Sequence, residues 1–140
     1  MPCDSPVFNV LLIDDKVEEL EIIQRIFKAM THAHVCVDHV LKCSEAFNLL
    51  NQYSYDLVLL DNRLSGQISA EFSVPFITSS INTATLAIIS NDIEVPYLKD
   101  PKVLGVDHVI DKSKMISFLR DQLALRTHPL DRDMATASYR

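Results

Sequence analysis

Five polar residues close apolar runs in this chain. Asp14 and Asp15 follow the run over residues 7–13, Asp61 follows LVLL, Ser90 follows LAII, and Lys112 follows VID. Gathered at one point, three carboxylates, a hydroxyl and an ammonium suit one kind of chemistry. Carboxylate oxygens ligate a hard divalent cation, while an ammonium and a hydroxyl pair with phosphoryl oxygens.

Such a gathering needs elements that all end at one edge, as strands of a parallel α/β sheet do; ligands bind there. Residues 7–13 read as a strand buried on both faces, interrupted only by Asn9. Residues 17–30 read as a helix, with Leu20, Ile23, Ile26, Phe27 and Met30 on one stripe and Glu18, Glu19, Glu21, Arg25 and Lys28 on other faces. Residues 34–40 form a second, edge-type strand. Residues 44–53 form a second helix, with Ser44 as its N-cap and Ala46, Leu49, Leu50 and Tyr53 as its stripe. Residues 55–60, 85–89 and 106–110 supply three further strands. A helix near Ser73 with Pro75 in its first turn fits between the third and fourth. Pro96 and Pro101 limit residues 91–104 to short or broken helix. Ser113 caps a last helix carrying Met115, Phe118, Leu119 and Leu123. Alternating strands and helices imply a doubly wound, five-stranded parallel sheet with helices on both faces.

Composition narrows the function. The 140 residues suffice for one domain, divided as an N-terminal extension (1–6), a folded unit (7–125) and a flexible tail (126–140). A net charge of −6 argues against a nucleic-acid surface. No segment has the length and apolarity of a membrane span, and no secretory signal opens the chain, so a cytoplasmic location is expected. The cysteines Cys3, Cys36 and Cys43 are odd in number and lack CxxC spacing, which fits reduced thiols, with Cys36 a small buried hydrophobe. With only Gly66 and Gly105, the chain has neither GxGxxG nor a P-loop, so phosphate chemistry must use side chains. An FMN carrier on a similar sheet would need a Ser/Thr-rich loop after the first strand, where DDKVEE stands instead.

The chain resembles the receiver domain of bacterial two-component response regulators. The resemblance rests on the acidic pair in LLIDD, the aspartate in DLVLLD, the hydroxyl in LAIIS and the lysine in VIDKS. The spacings agree as well: 46 from Asp15 to Asp61 (61 − 15), 29 to Ser90 (90 − 61) and 22 to Lys112 (112 − 90). The resemblance implies a flavodoxin-like sheet of order 2-1-3-4-5. It implies Asp61 as phosphoacceptor, with Ser90 and Lys112 contacting the phosphoryl group. Mg²⁺ would be held by Asp14, Asp15, Asp61 and the backbone carbonyl of Arg63.

The implied function is that of a stand-alone cytoplasmic receiver. It would be a phosphoprotein that catalyses only its own phosphorylation and dephosphorylation, taking its phosphoryl group from a sensor histidine kinase or histidine phosphotransfer protein. It would signal by contact with a downstream protein, without nucleic acid or membrane. The helix at 17–30 would dock the kinase, and residues 91–125 would form the output or homodimer face. The rival is a receiver-like interaction module that works without phosphorylation.

Three departures from the family pattern motivate the rival. Ser65 and Ser113 stand where prolines are usual, and Val109 stands where the family carries an aromatic switch residue. Val109 cannot swing a ring, and its neighbour His108 should face the other side of the sheet. Signalling is therefore expected not to use the usual aromatic switch; a ring from elsewhere rotating into place, such as that of Tyr97, would be the opposite outcome. Arg63 and Asp92 flank the approach to Asp61 and are expected to shield an aspartyl phosphate from water.

Overall fold

The computed structural model describes residues 8–30, 34–64, 68–81 and 83–127. The expected strand start at Val7, the N-terminal extension, Cys3, Ser65 and residues 128–140 lie outside these.

Strands β1 (Phe8–Ile13), β2 (Val35–Val40) and β3 (Leu57–Asp61) alternate with helices α1 (Val17–Met30) and α2 (Cys43–Gln52). A two-residue antiparallel ladder, β4 (Arg63–Leu64) with β5 (Ile68–Ser69), leads into α3 (Ala70–Thr78). Then come β6 (Thr85–Ser90), a 3-10 turn (Pro96–Leu98), α4 (Pro101–Leu104), β7 (His108–Asp111), a 3-10 turn (Lys112–Lys114) and α5 (Met115–Thr127). The main sheet is wholly parallel in the order β2-β1-β3-β6-β7. Counting these five strands alone gives 2-1-3-4-5, the expected flavodoxin-like order, with β2 on the edge.

Each central strand feeds two cores, because successive side chains point to opposite faces. Leu11, Ile13, Val58, Leu60, Leu86, Ile88 and Val109 pack with Ala46 and Leu50 of α2 and with Ala70, Val74 and Ile77 of α3. Phe8, Val10, Leu12, Leu57, Leu59, Ala87, Ile89 and Ile110 pack with Ile23 and Phe27 of α1 and with Met115, Phe118, Leu119 and Leu123 of α5. Burying each large side chain stabilises the fold by about 1.5–3 kcal/mol. The core therefore fixes the strand ends, and with them the site.

Several local expectations need correction. Ser44 is not the N-cap of α2: Lys42 occupies that position, and Glu45 reaches back to accept from Leu41 N–H at 3.1 Å. The α3 helix starts at Ala70, so Pro75 lies in its interior and not in its first turn. Burial of Ala70, Val74 and Ile77 outweighs the backbone bond that Pro75 removes. Ser113 does not cap the last helix. It sits within the 3-10 turn before α5 and donates from both its backbone N–H and Oγ to Asp111 Oδ1 at 3.0 Å. Helix α5 continues to Thr127, past the expected boundary at Leu125. Among the described cysteines, Cys36 is buried and Cys43 is a free thiol.

Candidate metal and phosphoryl site

The strand ends do meet. Asp14 and Asp15 follow β1, Asp61 is the last residue of β3, Ser90 the last of β6, and Lys112 follows β7. The register sets Asp61 beside Ile89 and Ser90 beside Asp111. Asp61, Ser90 and Lys112 line one open cleft of about 290 Å³ with Lys16, Asn62, Arg63, Asn91, Asp92 and Val95.

The carboxylates form a tight cup. One oxygen from each of Asp14, Asp15 and Asp61 lies within 4.8 Å of the other two. Asp14 is wholly buried and Asp61 is 5% exposed. Asp14 Oδ1 accepts from Lys16 N–H at 2.9 Å, but Asp14 Oδ2 and Asp15 Oδ1 are buried with no hydrogen-bond partner. Nor can His39 supply one: its Nε2 donates to the backbone carbonyl of Asp14 at 2.6 Å, which also fixes the ring's tautomer.

Burial and like charge govern the protonation of this cup. Burial, with the Asp61 charge adding to it, pushes the Asp14 carboxyl up to about 6, against the Lys16 amide that lowers it. Asp61 is also raised, chiefly by burial; Lys112 and the backbone N–H of Arg63 work against that rise. Orphaned anionic oxygens at this spacing fit a hard divalent cation, which removes both the repulsion and the unmet hydrogen-bonding demand.

Lys112 Nζ lies 3.8 Å from Asp61 Oδ1 and 3.0 Å from Glu19 Oε1 of α1, with all three side chains largely shielded. Burial works against the ammonium charge, but Glu19, Asp61 and Asp14 outweigh it, so the Lys112 pKa stands above the ordinary value. The sequence sets Glu19 off the apolar stripe of α1 and does not mark it as part of the site. The helical stripe alone gives no sign that the first turn of α1 faces Lys112.

Ser90 is engaged locally. Its Oγ donates to the Asp92 carbonyl at 2.9 Å and accepts from Asp92 N–H at 3.0 Å. Donation to any group on Asp61 therefore requires the hydroxyl to leave Asp92. Arg63 and Asp92 both border the cleft, and Asp92 Oδ1 accepts from Glu94 N–H at 3.0 Å.

Val109 is buried in the α2/α3 core, while His108 points to the other face and meets the Phe118 ring edge-on, with centroids 5.2 Å apart. Among the described residues there is no cis peptide, so Lys112–Ser113 is trans. Tyr97 is half-buried against the same core as Val109, and its hydroxyl donates to Asn62 Oδ1 at 2.7 Å. Asn62 directly follows Asp61 and is itself buried.

No protein-family profile matches the sequence, and no curated protein matches it. Solved structures do. A two-component response regulator from Clostridium difficile superposes with a TM-score of 0.71 at 16% identity, over 89% of this chain and 98% of that one. The signal receiver domain of an HD domain-containing protein from Pseudomonas fluorescens gives 0.69 at 16% identity, over 94% and 98%. The receiver domain of a sensor histidine kinase from Pseudomonas aeruginosa, which holds a magnesium ion coordinated in its active-site cleft, gives 0.67 at 16% identity, over 84% and 94%. At such identities the likeness is one of architecture: this chain has the receiver-domain fold of two-component response regulators.

Proposed function

We propose that this protein is a Mg²⁺-dependent phosphoacceptor of a two-component or phosphorelay pathway, with Asp61 as the residue phosphorylated. The observation that carries the reading is the buried carboxylate cup, with its two orphaned oxygens, set beside Lys112.

Asp14, Asp15, Asp61 and the backbone carbonyl of Arg63 would hold the cation. When bound, it neutralises the anionic cup and the incoming phosphoryl group. An Asp61 oxygen attacks phosphorus, a new P–O bond forms, and the P–N bond of a donor phosphohistidine breaks, its electron pair staying on the imidazole. Lys112 pairs with one phosphoryl oxygen. Ser90, released from the Asp92 carbonyl, donates to another. The residues contribute mainly position and charge, as phosphoryl transfer demands.

The donor is a sensor histidine kinase or histidine phosphotransfer protein docking beside α1, and the output is contact with a downstream protein or a second copy through residues 91–125. In this reading the receiver runs from residue 7 to the end of α5, with a tail beyond it. The setting is cytoplasmic; no helix among the described residues is long and apolar enough to cross a membrane.

Incubation with a small phosphodonor and Mg²⁺, followed by intact-mass measurement, tests this. The expected result is a gain of one phosphoryl group that disappears in Asp61→Ala. A wild-type chain that gains nothing would instead favour the phosphorylation-independent interaction module.

A further inference from the structure

We infer that Glu19 is a positioning residue that restrains phosphorylation by holding Lys112 away from Asp61. The inference rests on the phosphoacceptor reading and adds to it a residue outside the strand-end set.

The geometry is a competition for one ammonium. Lys112 Nζ makes its short contact, 3.0 Å, with Glu19 and stands 3.8 Å from Asp61. Glu19 and Lys112 side chains are only 15% and 14% exposed, so water screens the pair little. The fold fixes this arrangement: α1 and α5 pack on one face of the sheet, which sets the first turn of α1 against the turn that opens α5. Glu19 also adds a fourth negative charge beside the cup, one that helps raise Asp14.

A phosphoryl group arriving on Asp61 must draw Lys112 toward itself. With Glu19 in place, part of that attraction is offset by the ion pair that weakens. Replacing the carboxylate with an amide frees Lys112 and removes repulsion toward an anionic donor. Both effects act in the same direction, toward faster phosphorylation.

Phosphoramidate with Mg²⁺ is a suitable probe. The Asp61 oxygen forms the P–O bond, the P–N bond breaks, and the departing amine leaves as ammonia with a proton from solvent. Glu19→Gln should raise the initial rate of mass gain roughly fivefold, the scale of one partly shielded ion pair. Glu19→Asp, which keeps the carboxylate, should stay within about twofold of wild type on the same scale. In a Lys112→Ala background the Glu19→Gln acceleration should shrink to the part owed to donor repulsion, below about twofold.

An independent reading is the side-chain NMR signal of Lys112 in the metal-free, unphosphorylated protein, which should move in Glu19→Gln. Equal or slower phosphorylation in Glu19→Gln, a full fivefold acceleration that survives without Lys112, or an unmoved Lys112 signal would each overturn the inference while leaving Asp61 as phosphoacceptor. If no variant and no wild type gains mass, the phosphoacceptor reading itself fails, and the restraint on it fails too.

Discussion

The carboxylate cup and the segment beside it are built on opposite terms. In the cup, buried anionic oxygens lack partners and repel one another. In residues 91–104 the polar groups are matched: Ser90 with Asp92, Tyr97 with Asn62, and Asp100 Oδ1 accepting from Val103 N–H at the start of α4. The cup holds an unmet electrostatic demand that a cation and a phosphoryl group can meet. The neighbouring segment is anchored by Ile93 and Leu98, which are buried in the α2/α3 core, while its polar ties are local hydrogen bonds contributing about 1 kcal/mol each. A large local change in charge is thus set beside a segment whose polar ties are weak and local, which is a workable design for a signal.

The sharpest way to break this contrast is to neutralise the cup. Asp14→Asn with Asp15→Asn should slow phosphoryl uptake from a small donor by roughly 10²-fold or more, since the charge-stabilising cation loses two ligands. The same double variant should melt higher than wild type when both are metal-free, because two buried, partnerless carboxylate oxygens lose their charge. Loss of phosphorylation together with loss of stability would show that the cup is a structural element and not a strained site.

A second, smaller effect follows from Asp14 alone. Its folded pKa, about 6, stands above the ordinary carboxylate value, so the folded state binds the proton more tightly than the unfolded chain does. That contribution to stability is fully present below about pH 4, near the unfolded carboxylate value, and is lost as pH rises through about 6. Metal-free protein should accordingly melt lower at pH 7.5 than at pH 5, and millimolar Mg²⁺ should narrow the difference. Melting curves that are flat over this range with and without Mg²⁺ would mean the cup is already relaxed.

How much of this was legible in the sequence follows from the same division. Asp14, Asp15, Asp61, Ser90 and Lys112 each end an apolar run, and in a parallel sheet that position alone fixes where they go. The partners Glu19 and Tyr97 were not legible as partners. Glu19 lies outside the apolar stripe of α1, and its role depends on where α5 begins. Tyr97 sits in a Pro-flanked turn, where spacing carries no facing rule. The α3 boundary failed for a related reason: Pro75 argued locally for a helix start, and core packing of Val74 and Ile77 overrode it.

The smallest expected effect is the most informative about the segment side of the contrast. Tyr97 is an aromatic packed against the same core as Val109. Its hydroxyl reaches Asn62, whose backbone N–H donates to the Ile89 carbonyl and whose carbonyl accepts from Ala70 N–H. Asn62 thus ties the end of β3 to β6 and α3, and Tyr97 joins the 91–104 segment to that knot. Tyr97→Phe removes one hydroxyl and keeps the ring, so it should cost about 1 kcal/mol of stability and leave the phosphorylation rate within about twofold of wild type. What should change is transmission. In wild type, phosphorylation of Asp61 should alter amide hydrogen exchange across residues 91–104, and in Tyr97→Phe that response should be weakened or lost because the hydroxyl that joins the segment to Asn62 is gone. An undiminished response in the variant would detach Tyr97 from signalling and leave the Ser90–Asp92 turn as the connection between the cup and its neighbour.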